Sequence, residues 1–258
     1  MSRLHGKEPY VIAMLHGGPG ASGEMYPVSV ELSDQFGIIE PLQGAVSLHE
    51  QVEELKEQLQ SVTAAPVCIS GFSWGAWLAI LFAAEYPDLV KKLILIGCGA
   101  LEAEYASEVD LERMRRLSES DKSELELLRK QLKTCSLEEK KRLFARFGKL
   151  YSKTDSYHVM EIDNPKIDLH PEIFESVWPE GAAFRLSGQL LTAVRKVNCP
   201  VTIIHGANDP HPGYRVRQSF ESVRKKVKFY ELKRCGHKPW VEKYAREEFF
   251  KIIRSELG

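Results

Sequence analysis

Residues 65–84 constrain the fold more than any other stretch of the chain. Ala65-Pro66-Val67-Cys68-Ile69-Ser70 is a short apolar run bounded by proline, the pattern of a buried strand. Residues 76–84 are apolar nearly all round, the pattern of a helix packed in the interior. Gly71-Phe72-Ser73-Trp74-Gly75 stands between them, so the backbone must turn sharply from strand to helix with a serine at the apex. The two glycines leave room for that turn, which lifts the serine hydroxyl clear of the sheet. The helix that follows points its N-terminal amides toward any negative charge developing there. A G-x-S-x-G in this strand-turn-helix setting is a nucleophile elbow.

The rest of the chain repeats the alternation. Apolar runs at 10–15, 37–40, 67–70, 93–97, 201–205 and 227–232 read as strands, most of them continuous, as parallel strands covered on both faces should be. Ser47-Leu48-His49-Glu50 has the form of a capping box and opens a helix through Val52, Leu55 and Leu59. Further helices are expected at 74–86, 184–196, 214–225 and 239–256. The expected fold is therefore α/β, with a doubly wound, mainly parallel sheet. Residues 101–181 break the rhythm. They hold no clear strand and are rich in Glu, Lys, Arg and Leu, so they read as amphipathic helices inserted between the fourth and fifth strands. The expected organisation is a core of residues 1–100 and 182–258, with residues 101–181 forming a helical lid.

Composition narrows the partners. The net charge of −1 in 258 residues offers no electrostatic basis for binding nucleic acid or an anionic membrane. No apolar run reaches the length of a membrane span, and residues 1–9 lack the apolar stretch expected of a secretory signal. Five cysteines at scattered positions match no zinc spacing and no C-x-x-C pair, which points to a reducing cytoplasm.

A serine hydroxyl needs a base to take its proton and a third group to orient that base. Of the eight histidines, His237 lies in a glycine-bearing loop between the last strand and the last helix, on the rim shared with Ser73. Asp209 directly follows the fifth strand in a turn marked by Gly206 and Pro210, and is the expected acid. Glu40, at the end of the second strand, is the fallback. His16-Gly17-Gly18-Pro19-Gly20 follows the first strand and leaves amides free, which assigns oxyanion donors to Gly18 and to Trp74 after the nucleophile. Each such donor contributes ~100–1000-fold in rate. Neither phosphate-loop pattern is present.

These four features together resemble the α/β-hydrolase superfamily. The pairing of His16 to Gly20 with Ser73-Trp74-Gly75, and the final Cys235-Gly236-His237 with Pro239-Trp240, is similar to its prolyl iminopeptidase-like branch. The resemblance implies a serine hydrolase that forms a covalent acyl-enzyme and needs no cofactor or metal. It also implies a small-molecule substrate, with a carboxylesterase-like activity as the main expectation and an N-terminal aminopeptidase as the alternative. A non-catalytic ligand-binding module on the same scaffold is the rival from another class. In the iminopeptidase branch, lid carboxylates hold the substrate amine, and Trp178 and Glu180 are the residues here that match. Two departures stand out. Only nine residues precede the first strand, so the family's two leading antiparallel strands are expected to be absent. Glu40-Pro41-Leu42-Gln43-Gly44 replaces the family's Asp-x-Arg-Gly-x-Gly segment.

Overall fold

The computed structural model describes residues 1–164 and 166–258, with Leu137 described in its backbone alone. Position 165 of the expected insertion lies outside the described residues. In chain order the elements are β1 (Ser2–His5), β2 (Tyr10–Leu15), β3 (Ala21–Ser22), α1 (Tyr26–Leu32), β4 (Gly37–Pro41), α2 (Leu48–Gln60), β5 (Val67–Phe72), α3 (Trp74–Glu85) and β6 (Val90–Ile96). Then come α4 (Ala106–Arg116), α5 (Glu119–Gln131), α6 (Leu137–Asp155), β7 (Asp168–Leu169), α7 (Pro171–Leu186), α8 (Gln189–Lys196), β8 (Val201–Gly206), α9 (Gly213–Ser222), β9 (Lys228–Leu232) and α10 (Arg246–Leu257).

Among the described residues the main sheet has seven strands in the order β1-β4-β2-β5-β6-β8-β9, all parallel except β1. Successive strand residues face opposite layers. Ala13, Leu15, Ile69, Leu93, Leu95 and Ile203 join α2, α3, α8 and α9 in one core. Ile12, Met14, Cys68, Ile94, Ile96 and Ile204 join α1 and α10 in the other. This two-sided burial is why the strands read as unbroken apolar runs.

The structure corrects several sequence expectations. An antiparallel leading strand is present: β1 pairs with β4, Arg3 opposite Glu40 and Leu4 opposite Ile39. Four residues at a half-exposed sheet edge carry too little apolar signal to be read from sequence. Helix α1 is short and was not anticipated. The stretch expected as one helix at 239–256 is a 3-10 turn at Pro239–Val241 followed by α10, because Trp240 and Ala245 are buried before the helix begins. The expected 184–196 helix is split between α7 and α8 at Gly188, whose φ is +75°. The expected boundary at 181/182 falls inside α7, which runs through Pro179 without ending. β7 adds a two-residue strand to the insertion, paired with β3.

Helices α4 to α6 enclose a small core of their own around Leu117, Leu125, Leu128, Leu143 and Leu150. Among the described residues no helix is long and apolar enough to cross a membrane.

At the far edge of the sheet the α10 residue Glu256 gathers four donors. Lys92 Nζ (2.5 Å) and Thr202 Oγ1 (2.8 Å) donate to one carboxylate oxygen, Tyr230 hydroxyl (2.8 Å) and Lys228 Nζ (3.1 Å) to the other. Burial works against the charge, but these donors outweigh it and hold the carboxyl at about 2, against an ordinary value of 4.5. A depressed carboxyl stabilises the fold above its ordinary value, and that contribution disappears as pH falls from 4.5 toward 2. Glu256→Gln is therefore expected to lower unfolding free energy by about 3 kcal/mol at neutral pH. Denaturant melts should show the gap between variant and parent closing as pH drops below 4.5.

Candidate active site

Ser73 sits at the apex of the β5–α3 turn with φ +51° and ψ −109°, a backbone conformation rarely adopted by a residue with a side chain. Its N–H donates to the Ile96 carbonyl (2.9 Å), tying the strained turn to β6. Two glycines make the turn possible. A Cβ on Gly71 would stand 2.2 Å from the Gly75 carbonyl oxygen, and one on Gly75 would stand 2.6 Å from the carbonyl oxygens of Leu15 and His16. Gly71→Ala is expected to cost on the order of 3 kcal/mol, since only backbone could move aside, and a thermal melt checks it.

His237 reaches the serine from the β9–α10 loop. Its Nε2 lies 3.0 Å from Ser73 Oγ, and its Nδ1 lies 2.7 Å from Asp209 Oδ2. An ionised carboxylate only accepts, so Nδ1 carries the proton and Nε2 presents its lone pair to the serine hydroxyl. The ring is held on several sides. Phe72 packs at 4.8 Å between centroids, His211 stacks at 4.8 Å with 28° between planes, and the His237 backbone N–H donates to the Asp155 carbonyl (2.7 Å). Gly97, with φ +51°, lets β6 end against it; a Cβ there would lie 2.9 Å from the His237 carbonyl oxygen.

Asp209, its side chain fully buried, is the centre of a network. Oδ1 accepts from the His211 backbone N–H (2.8 Å) and Oδ2 from His237 Nδ1, while His205 Nε2, which bonds the His211 carbonyl (2.7 Å), lies 3.1 Å from the same Oδ2. Burial alone would favour the neutral acid, but the two histidines outweigh it and hold the carboxyl well below its usual range. His205 is itself raised: burial opposes its charge, and Asp209 more than compensates. His211 goes the other way. Burial, with His237 and Arg113 nearby, drops it to about 3, so it stacks on His237 as a neutral ring. Arg113 approaches His211 Nε2 (3.3 Å) and is clamped to Asp155 by two bonds of 2.8 and 2.5 Å.

His205, His211, Arg113 and Asp155 were not singled out from sequence as site residues. The two histidines had one signal: they flank Asp209 closely, His205 at the end of β8 and His211 in the turn that follows. Arg113 and Asp155 had none, because they come from α4 and α6, 42 positions apart.

The glycine loop after β2 lies on the same rim. Gly18, at φ +48°, lines a cavity of about 210 Å³ together with Ser73, Phe72 and His237. Trp74 is the first residue of α3, so its N–H has no acceptor within the helix. His16 is buried and its Nδ1 lies 2.8 Å from the Gly17 carbonyl, which steadies the loop.

Two expected residues go elsewhere. Glu40 meets His5 Nε2 (2.8 Å) and Arg3 (3.8 Å) beside β1, so Asp209 is the carboxylate that His237 contacts. Glu180 accepts from the Leu48 N–H (2.7 Å) and caps α2, lining a separate cleft with Val52, Leu81 and Phe184. Its position on α7 turns it toward the α2 N-terminus, where the helix dipole favours a carboxylate. Trp178 does line the cavity that holds Ser73, stacked between Trp77 (5.8 Å) and Phe174 (5.7 Å).

That larger cavity measures about 530 Å³ and lies between the core and the inserted helices, with Phe144, Phe147, Tyr151 and Phe174 in its wall. Asp209, His211 and His237 also bring three potential metal donors within 4.8 Å of one another. Asp209 and His237 are already bonded to each other there.

A family model described as the alpha/beta hydrolase fold matches residues 10–244. A pyrrolizixenacetamide deacetylase of Xenorhabdus hominickii is 24% identical over 98% of this chain and 92% of its own length. Among solved structures, VinJ superposes with a TM-score of 0.69 at 16% identity, covering 99% of this chain and 93% of that one. Est816, an N-acyl homoserine lactone degrading enzyme, superposes with a TM-score of 0.65 at 13% identity, covering 99% and 95%.

Proposed function

This chain belongs to the α/β hydrolase fold family and is a hydrolase, and we propose that it is a serine hydrolase cleaving a small-molecule ester or amide in the manner of a carboxylesterase. The observation that carries the reading is the continuous chain of contacts from Ser73 through His237 to Asp209, at 3.0 and 2.7 Å, on a strained serine.

In this reading His237 takes the Ser73 proton as the hydroxyl oxygen attacks the substrate carbonyl. The tetrahedral oxyanion is held by the N–H groups of Gly18 and Trp74. His237, now an imidazolium stabilised by Asp209, gives its proton to the leaving alcohol or amine as that bond breaks. The acyl group remains on Ser73. Water then enters, His237 removes its proton, and collapse of the second intermediate releases the acid and restores the serine. The acyl group fits the aromatic cavity, where Trp178 would be a substrate contact. A relative named as a deacetylase and a fold neighbour described as degrading N-acyl homoserine lactones accord with acyl transfer.

The aminopeptidase alternative loses its expected amine ligand, since Glu180 is engaged with α2. Labelling with a fluorophosphonate, read by intact mass, tests the proposal. One adduct on the parent protein and none on Ser73→Ala is expected. A well-folded parent that takes up no probe would favour a non-catalytic binding module instead.

A further inference from the structure

The 530 Å³ cavity beside Ser73 carries five aromatic side chains in its wall, Phe144, Phe147, Tyr151, Phe174 and Trp178, yet three arginines and one carboxylate, Asp110, also line it. Their charges are not equivalent. Arg113 is neutralised by its double contact with Asp155. Arg129 is exposed at the rim and donates to the Tyr151 hydroxyl (3.2 Å). Arg185 is half-buried on α7 with its guanidinium 5.3 Å over the Trp77 ring, and among the described residues no carboxylate lies within ion-pair distance of it. Asp110 is exposed and acts on Arg185 only through its field; burial leaves the guanidinium less favourably charged than usual. The second cavity at Ser73 differs, since its charged groups are matched: Glu24 with Lys238 (2.5 Å), and Asp155 with Arg113.

A guanidinium set into an aromatic pocket with five N–H donors and no anion partner loses hydration without gaining a counter-charge. It is stabilised when a ligand brings the counter-charge in. Arg129 and Arg185 against Asp110 leave one positive charge in excess, which suits a carboxylate better than a dianionic phosphate.

Building on the serine-hydrolase reading, we infer that the acyl group delivered to Ser73 carries a carboxylate at its far end. The carboxylate sits on Arg185, with Arg129 assisting from the rim. The hydrocarbon body between the two ends lies against Phe144, Phe147, Phe174 and Trp178. The substrate class is thus the half-esters or half-amides of dicarboxylic acids. Arg185 acts in specificity rather than in the chemical steps, so its loss should fall chiefly on substrates that carry the carboxylate.

The test compares p-nitrophenyl half-esters of dicarboxylic acids with neutral p-nitrophenyl esters of the same chain length, from four to ten carbons. For the parent protein, kcat/KM is expected to favour the half-ester by about 30-fold at the best length. That preference should fall to within about threefold in Arg185→Gln, the half-ester losing far more kcat/KM than the neutral ester, and return in part in Arg185→Lys. Parent protein that turns over neutral esters equally well or better overturns the inference, as does a preference that survives in Arg185→Gln. Should Arg185→Gln fail to fold, the parent itself decides: free dicarboxylates must inhibit neutral-ester turnover at least tenfold more strongly than monocarboxylates of equal length. Calorimetric titration of Ser73→Ala with the same acids separates this inference from the catalytic reading, because it needs no turnover. Selective dicarboxylate binding without any fluorophosphonate labelling of the parent would sink the chemistry and keep the anion site. Labelling without dicarboxylate selectivity would do the reverse.

Discussion

Ser73→Ala is expected to lower kcat/KM for a p-nitrophenyl ester by about 10⁴- to 10⁶-fold while leaving the fold intact. The size follows from the role of the hydroxyl. Without it there is no acyl-enzyme, and what remains is the contribution of substrate binding and of the Gly18 and Trp74 amides to direct attack by water. The stability cost is small for a local reason. The Ser73 N–H still donates to Ile96, the turn still closes through Gly71 and Gly75, and alanine carries the same strain at φ +51° as serine does. Steady-state kinetics and a thermal melt on one preparation check both halves. Turnover within tenfold of the parent would remove Ser73 from the chemistry.

Asp209→Asn is expected to lower kcat by about 10⁴-fold. The amide can turn its NH₂ toward His237 Nδ1, which favours the tautomer with the proton on Nε2, where it cannot accept from Ser73. It also removes the negative charge that stabilises the imidazolium. Asp209 is unusual in facing two imidazoles through the same oxygen, His237 at 2.7 Å and His205 at 3.1 Å. The substitution therefore also leaves a buried His205 without its counter-charge, and a loss of stability should accompany the loss of rate. Glu40→Gln is the informative control. Glu40 is tied to His5 and Arg3 beside β1, so its loss should lower the melting temperature and leave kcat within about twofold. If Glu40→Gln abolished turnover and Asp209→Asn did not, the identity of the acid would be reversed.

Much of the architecture was legible because two-sided burial leaves a strong local mark. The five inner strands appear as apolar runs, and the Ser47 cap of α2 forms as its spacing suggests, with Glu50 N–H donating to the Ser47 hydroxyl. What escaped was held by long-range contacts. β1 exists because β4 offers an unpaired edge 35 residues later in the chain, not because its own four residues favour a strand. α7 continues through Pro179 because Gly181 lets it lie directly on Trp74, where a Cβ would stand 2.5 Å from the ring. From the sequence, the insertion is expected to end at that glycine.

The candidate site divides along the same line. Ser73, Asp209 and His237 each follow a parallel strand, and parallel strands deliver their following loops to one edge of the sheet, so chain order and rim position could be read from the residues alone. Pairing could not. Whether a carboxylate faces an imidazole, an arginine or a helix end depends on partners as far away as the 132 positions that separate Glu180 from Leu48. The family resemblance made Glu180 a candidate amine ligand and left Arg185 unremarked. The packing of α7 against α2 and Trp77 engaged the first and left the second without a counter-charge, because side-chain charge is matched in space and not along the chain.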